Sequence, residues 1–98
     1  MIEQLNKAFE SRVRLGLMAV LVVNEWVDHG TLKDLLGVTD GNLASHMTAL
    51  VTARYVQVRK RFIGNRPNTS YKATSVGVKA FRTHLDAMDQ LLRKDLRQ

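Results

Sequence analysis

Residues 37–50 of this chain read GVTDGNLASHMTAL, and residues 55–74 read YVQVRKRFIGNRPNTSYKAT. The first segment opens with a glycine stop, Gly37, and then offers Thr39 and Asp40 as caps for a new helix. Leu43, Met47, Leu50 and Val51 follow at spacings of 4, 3 and 1, which gives that helix one apolar face and ends it near Ala53 or Arg54. In the second segment the period drops to two. Val56, Val58 and Phe62 alternate with Gln57, Arg59 and Arg61, so Tyr55 to Ile63 reads as a half-buried strand. Gly64-Asn65-Arg66-Pro67-Asn68 supplies turn residues, and Thr69 to Ala73 returns as a second strand.

Upstream of these segments, Thr31 leads into a short helix carrying Leu32, Leu35 and Leu36, which Gly37 ends. Two short helices joined by Gly37-Val38-Thr39 form a helix-turn-helix pattern. On the second of them, Asp40, Gly41, Asn42, Ser45, His46 and Ala49 point away from the apolar face. They are small or polar, and none is a long charged side chain that would fence off a groove. A helix expected over Ser11 to Glu25, with Ser11 as N-cap, carries Val13, Leu17, Val20, Leu21 and Asn24 on one side and Leu15, Met18 and Val22 beside them. That makes it the central core helix. Leu5, Ala8 and Phe9 predict a short first helix over about residues 2 to 10, and Trp26 to Gly30 reads as a turn with at most one short extended pair. Downstream, Thr74-Ser75 caps a last helix expected over about 75–97. Its Val78, Phe81, Leu85, Met88 and Leu92 are spaced 3, 4, 3 and 4, a coiled-coil-like seam.

Between Asp40 and Asp86 lie 45 residues without one Asp or Glu. The same stretch holds eight bases: Arg54, Arg59, Lys60, Arg61, Arg66, Lys72, Lys79 and Arg82. The whole chain carries +6, so the residues outside the stretch sum to −2, seven Lys/Arg against nine Asp/Glu. A charge run is ordinarily a solvated surface. Here the segregation, the position on a hairpin and the missing acids favour a polyanion, which binds by releasing counterions from such a surface.

The totals narrow the class. An apolar fraction of 45% and a charged fraction of 24% argue against disorder. At 98 residues one domain is expected, with no room for a separate sensor. No cysteine is present, which removes disulfides, thiolate nucleophiles and Cys-based metal sites. The apolar run Leu15 to Val23 is too short to span a bilayer, and acids precede it where a signal peptide carries positive charge, so a soluble cytoplasmic protein with no membrane partner is expected. His29, His46 and His84 lie in different elements without ligand spacing, and no catalytic arrangement is visible; neither a metal, a cofactor nor an enzyme is expected.

Taken together, the two quoted segments and the long helix after them resemble the small winged-helix transcriptional regulators of the MarR/ArsR-like superfamily, from Arg12 through about Leu85. The resemblance implies a mainly α fold with a small β-hairpin: a winged helix-turn-helix, single domain over 1–98, with a long C-terminal dimerisation helix. It also implies a homodimer with the Thr39 helix in the major groove of double-stranded DNA and the hairpin tip along the backbone or in the minor groove. On that resemblance Asn42, Ser45 and His46 take the recognition role, Arg66 the wing tip, and Lys60 and Arg61 the phosphates. Thr39, Arg59 and Lys72 complete the expected DNA-binding set, and Leu5, Phe9, Val78, Phe81, Leu85, Met88 and Leu92 the expected dimer interface. Three positions depart from the family pattern: His29 stands for a large apolar residue, Ala53-Arg54 for a small-Gly helix ending, and Met47 for Leu. The expected function is sequence-specific DNA-binding regulation, as a repressor on a pseudo-palindromic operator. The rival is an adaptor that binds a protein partner through its last helix. An effector, if one exists, is expected at the dimer interface, near Trp26, Phe9 and Phe81.

Overall fold

The computed structural model describes residues 2–97. Ser11 accepts a hydrogen bond from the Arg14 amide and starts helix α1, Arg12–Leu21. This helix buries Leu17, Met18 and Leu21 completely and is the centre of the core. It is shorter than the apolar run implied. Val22 already caps it, and Asn24, expected on the core side, is exposed and donates back to the Val20 carbonyl. A pair of residues, Val27–Asp28, then forms strand β1. Helix α2, His29–Leu36, begins two residues before Thr31 and ends at Gly37, whose φ of 66° is the left-handed conformation that glycine tolerates best. Thr39 caps helix α3, Asp40–Thr52, by accepting from the Asn42 amide. Leu43, Met47 and Leu50 bury its inner face. Full burial of each such side chain is worth roughly 1.5–3 kcal/mol.

Strands β2, Val56–Ile63, and β3, Arg66–Ala73, form an antiparallel hairpin, and β1 pairs with β3 on its other side. The result is a three-stranded sheet of order β1-β3-β2 rather than a lone hairpin. The turn is tighter than the five-residue stretch read from the sequence. Ile63 pairs with Arg66, so only Gly64 and Asn65 lie outside the ladder. Gly64 has φ 63°, the positive value that a two-residue hairpin of the II′ kind requires at its first position. Pro67 sits within β3, and β1 pairs only as far as Ser70, so β3 is an edge strand there and tolerates the missing N–H.

Helix α4, Ser75–Leu92, is capped by Thr74 and ends before the expected residue 97. Its first turn presses on the end of α3. Thr74 donates its amide to the Tyr55 carbonyl and its hydroxyl to the Arg54 carbonyl. Gly77 is the contact point, because a side chain there would fall inside the Tyr55 carbonyl group. The first helix expected from the sequence is instead two 3₁₀ turns, Ile2–Gln4 and Lys7–Phe9, broken at Asn6. Asn6 is tied across the fold: its amide N–H donates to His84 Nδ1 and its side chain donates to the Tyr55 hydroxyl, each at 2.9 Å. Phe9 closes this corner, with ring centroids 5.3 Å from Phe81 and from His84.

The seam of α4 is therefore divided. Phe9 and Phe81, expected at a dimer interface, are buried in the core of the chain itself, and Val78 and Leu5 are half-buried. Leu85, Met88 and Leu92 remain exposed, joined by Leu91. Among the described residues, no helix is long and apolar enough to cross a membrane.

Candidate nucleic-acid interface

Helix α3 lies with its inner side on α1 and one flank against the hairpin. Ala44, Met47, Thr48 and Val51 of α3 face Val58 and Lys60 of β2 and Thr69 and Tyr71 of β3 across a shallow groove. Alternation along the strands decides which bases share this groove. Lys60 faces α3, while Arg59 and Lys72 project from the opposite face of the sheet. There the Arg59 guanidinium carbon lies 4.3 Å from the Trp26 ring centroid, and the Lys72 ammonium lies 5.9 Å from it. Arg59 is half-buried in this stack, and its Nε is buried without a partner. Two of the expected DNA contacts thus form a cation–π layer behind the sheet. Arg61 follows Arg59 on that face but lies farther out and exposed, and Arg66, at the start of β3, is exposed beside the tip.

On α3 itself, Asn42 and Ser45 are exposed, and so are Ala44, Thr48 and Ala49. Thr48, one turn beyond Ala44 and Ser45, also belongs to the open face, outside the set expected from the sequence. The signal was there, since it follows Ser45 by three residues. Thr39 holds the helix start through its hydroxyl, so its role is to place the helix. His46 leaves the open face. It is half-buried on the α1 side, with Nδ1 3.1 Å from Arg14 Nη1. A guanidinium only donates, so Nδ1 accepts and the ring proton of a neutral His46 sits on Nε2. Arg14 also donates through Nε to the Ala8 carbonyl at 2.6 Å, which locks it between the N-terminal segment and α3.

His29, the departure noted in the sequence, joins three elements. Its Nδ1 is 2.9 Å from the Tyr71 hydroxyl of β3, and its Nε2 is 3.2 Å from the Asp40 carboxylate in the first turn of α3. Lys33 of α2 reaches the same carboxylate at 3.5 Å. Asp40 is the last acid before the acid-free stretch; Lys33 offsets its charge and His29 occupies its other oxygen where α3 begins. Tyr71 is buried, and loss of solvation raises its hydroxyl pKa above the usual value near 10. Among the described residues, no group of His, Asp or Glu is arranged to hold a metal ion. Of the three aromatic residues named for an effector, Trp26 stacks under Arg59, while Phe9 and Phe81 pack on each other.

Known proteins carry the same architecture. Residues 13–92 match the family described as winged helix DNA-binding domain. An uncharacterized protein of Methanocaldococcus jannaschii is 35% identical over 85 residues, spanning 87% of this chain and 92% of that protein. The structure of a transcriptional regulator homologue from Pyrococcus horikoshii superposes with a TM-score of 0.70 at 29% identity, covering 94% of this chain and 99% of that one. HlyU from Vibrio cholerae shares the fold at a TM-score of 0.62 and 23% identity, over 90% of this chain and 87% of its own. The matched family is one of DNA-binding domains rather than enzymes, and the chain belongs to it: it is a winged helix DNA-binding domain of the transcriptional-regulator kind.

Proposed function

We propose that this chain is a cytoplasmic, sequence-specific regulator of transcription that binds double-stranded DNA as a homodimer and acts as a repressor. One observation carries the reading. From Gly41 to Ala49 the open face of α3 is small and uncharged, and it stands beside a hairpin bearing Lys60, Arg61 and Arg66, all within a stretch that has no carboxylate. A neutral helix face admits base edges, and the bases beside it hold phosphates. In this arrangement Asn42, Ser45 and Thr48 meet base edges in the major groove, while Lys60, Arg61 and Arg66 fix the register. The exposed stripe Leu85, Met88, Leu91 and Leu92 of α4 supplies the two-fold contact. Such a dimer sets two α3 helices about 34 Å apart and matches a pseudo-palindromic operator. Repression follows from occupancy alone, since a bound dimer excludes other proteins from its site.

The test is fluorescence anisotropy on duplexes recovered by the protein from a random-sequence pool, repeated across a salt series. Binding should weaken with salt at a log–log slope of roughly −0.9 per phosphate neutralised. Arg66→Ala, acting twice per dimer, should make that slope shallower by about 2 and weaken all duplexes alike. If no duplex is recovered, or if binding ignores salt, the reading is wrong.

A further inference from the structure

The outer end of the hairpin carries a feature that phosphate binding does not use. Phe62 is 74% exposed and Ile63 is 54% exposed, at the last two positions of β2. The minor groove is one of the two places that the family resemblance implies for the hairpin tip; for a tip in that place, we propose that Phe62 is an apolar wedge that partly unstacks a base step. The proposal rests on the duplex-binding reading above and names what the tip does once the duplex is bound.

The geometry places Phe62 on the correct side. Lys60 and Pro67 line the groove shared with Ala44 of α3, and Phe62 pairs with Pro67 two residues beyond Lys60. The apolar pair therefore extends the same face outward, toward the side on which α3 is open. Gly64 and Asn65 alone close the turn, so the tip is narrow and its two strands are registered to the end. A minor groove about 6 Å wide is too narrow for a two-stranded ribbon but admits one side chain. Phe and Pro are among the residues that wedge between base steps and kink the duplex.

The chemistry around the tip selects the occupant. Apolar side chains on an exposed hairpin edge invite unwanted pairing and are usually replaced by charges. Here Arg61 and Arg66 flank them, Arg66 directly opposite Ile63, and no acid lies anywhere from residue 41 to 85. A second copy of the tip would bring the same positive charge and be repelled. A narrow minor groove offers both a negative potential for the arginines and stacked bases for the ring.

The experiment uses a duplex recovered from a random-sequence pool by the wild-type protein. It compares wild type, Phe62→Ser and Phe62→Trp by circular-permutation bending and by 2-aminopurine fluorescence along the site. Wild type should bend the duplex by roughly 20–90° and brighten 2-aminopurine at one step in each half-site. Phe62→Ser should lose both signals and bind about tenfold more weakly, with the salt slope unchanged because no phosphate contact is lost. Phe62→Trp should keep the bend. Salt-dependent binding with no bend, or a bend that Phe62→Ser leaves intact, overturns the wedge while leaving the duplex-binding reading in place. A change of oligomeric state in Phe62→Ser with bending intact also overturns it, by making the tip a protein contact. If the pool yields no duplex, both readings fall.

Discussion

Arg54 has φ 67°, alone among the described non-glycine residues in the left-handed region. It follows the Ala53 cap of α3, and the bonding is that of a Schellman ending: the Tyr55 amide donates to the Leu50 carbonyl and the Arg54 amide to that of Val51. Glycine is the usual residue there, and a side chain in that conformation costs roughly 1–2 kcal/mol. Arg54→Gly should stabilise the protein by about 1 kcal/mol and raise Tm by roughly 4–8 °C. A lower melting temperature would show that the arginine side chain contributes more than its backbone strain removes. Tyr71 gives a prediction for alkaline pH. Its hydroxyl ionises at a higher pH folded than unfolded, so the unfolded chain loses its proton first as pH rises through about 10. The Tyr71 contribution to stability is constant below that range and falls above it. Melts between pH 8 and 11 should show a smaller alkaline loss in Tyr71→Phe than in wild type. That variant should also be weaker at neutral pH by about 1 kcal/mol, for the lost hydrogen bond to His29.

Much of each element could be read from local residues. Ser11, Thr39 and Thr74 each cap the helix expected to follow them, Gly37 stops α2, and alternation marks β2, because each of these signals acts within a few residues. The errors fall where distant residues intervene. The first segment was expected to be a helix, but it breaks at Asn6, whose partners His84 and Tyr55 lie 78 and 49 residues away. Strand β1 has two residues and exists only because β3 pairs with it. The docking of α4 also depends on a distant partner, since Gly77 meets the backbone of Tyr55. Gly77→Ala should force the α4 terminus away and destabilise by about 2–3 kcal/mol in denaturant melts. Gly30→Ala, in the first turn of α2 with open space around it, is the control and should leave stability unchanged or raise it by up to about 1 kcal/mol. Equal effects at the two glycines would contradict the close approach.

The whole molecule is long for its chain, with extents of 65 × 25 × 20 Å and a radius of gyration of 15.4 Å. A compact chain of this length would have about 13 Å. The outer half of α4 extends past the core with Leu85, Met88, Leu91 and Leu92 exposed. If the proposed dimer uses this stripe, Leu85→Glu with Met88→Glu should convert it into a monomer in sedimentation or light-scattering experiments. The melting temperature should change little, because both side chains are already 45% and 43% exposed. Loss of the second attachment should then weaken duplex binding by about 100-fold or more. A double variant that stays dimeric would place the two-fold contact elsewhere. By itself the sequence determined where α1 to α4 begin or lie, the caps at Ser11, Thr39 and Thr74, the hairpin and the segregation of charge, because periodicity, capping and composition are local properties. Only the tertiary structure decided which bases share a face with α3, that Arg59 and Lys72 stack on Trp26 behind the sheet, and that Phe9 and Phe81 belong to the core of the chain. Those assignments depend on strand register and on contacts between residues far apart in the chain, which no local pattern encodes.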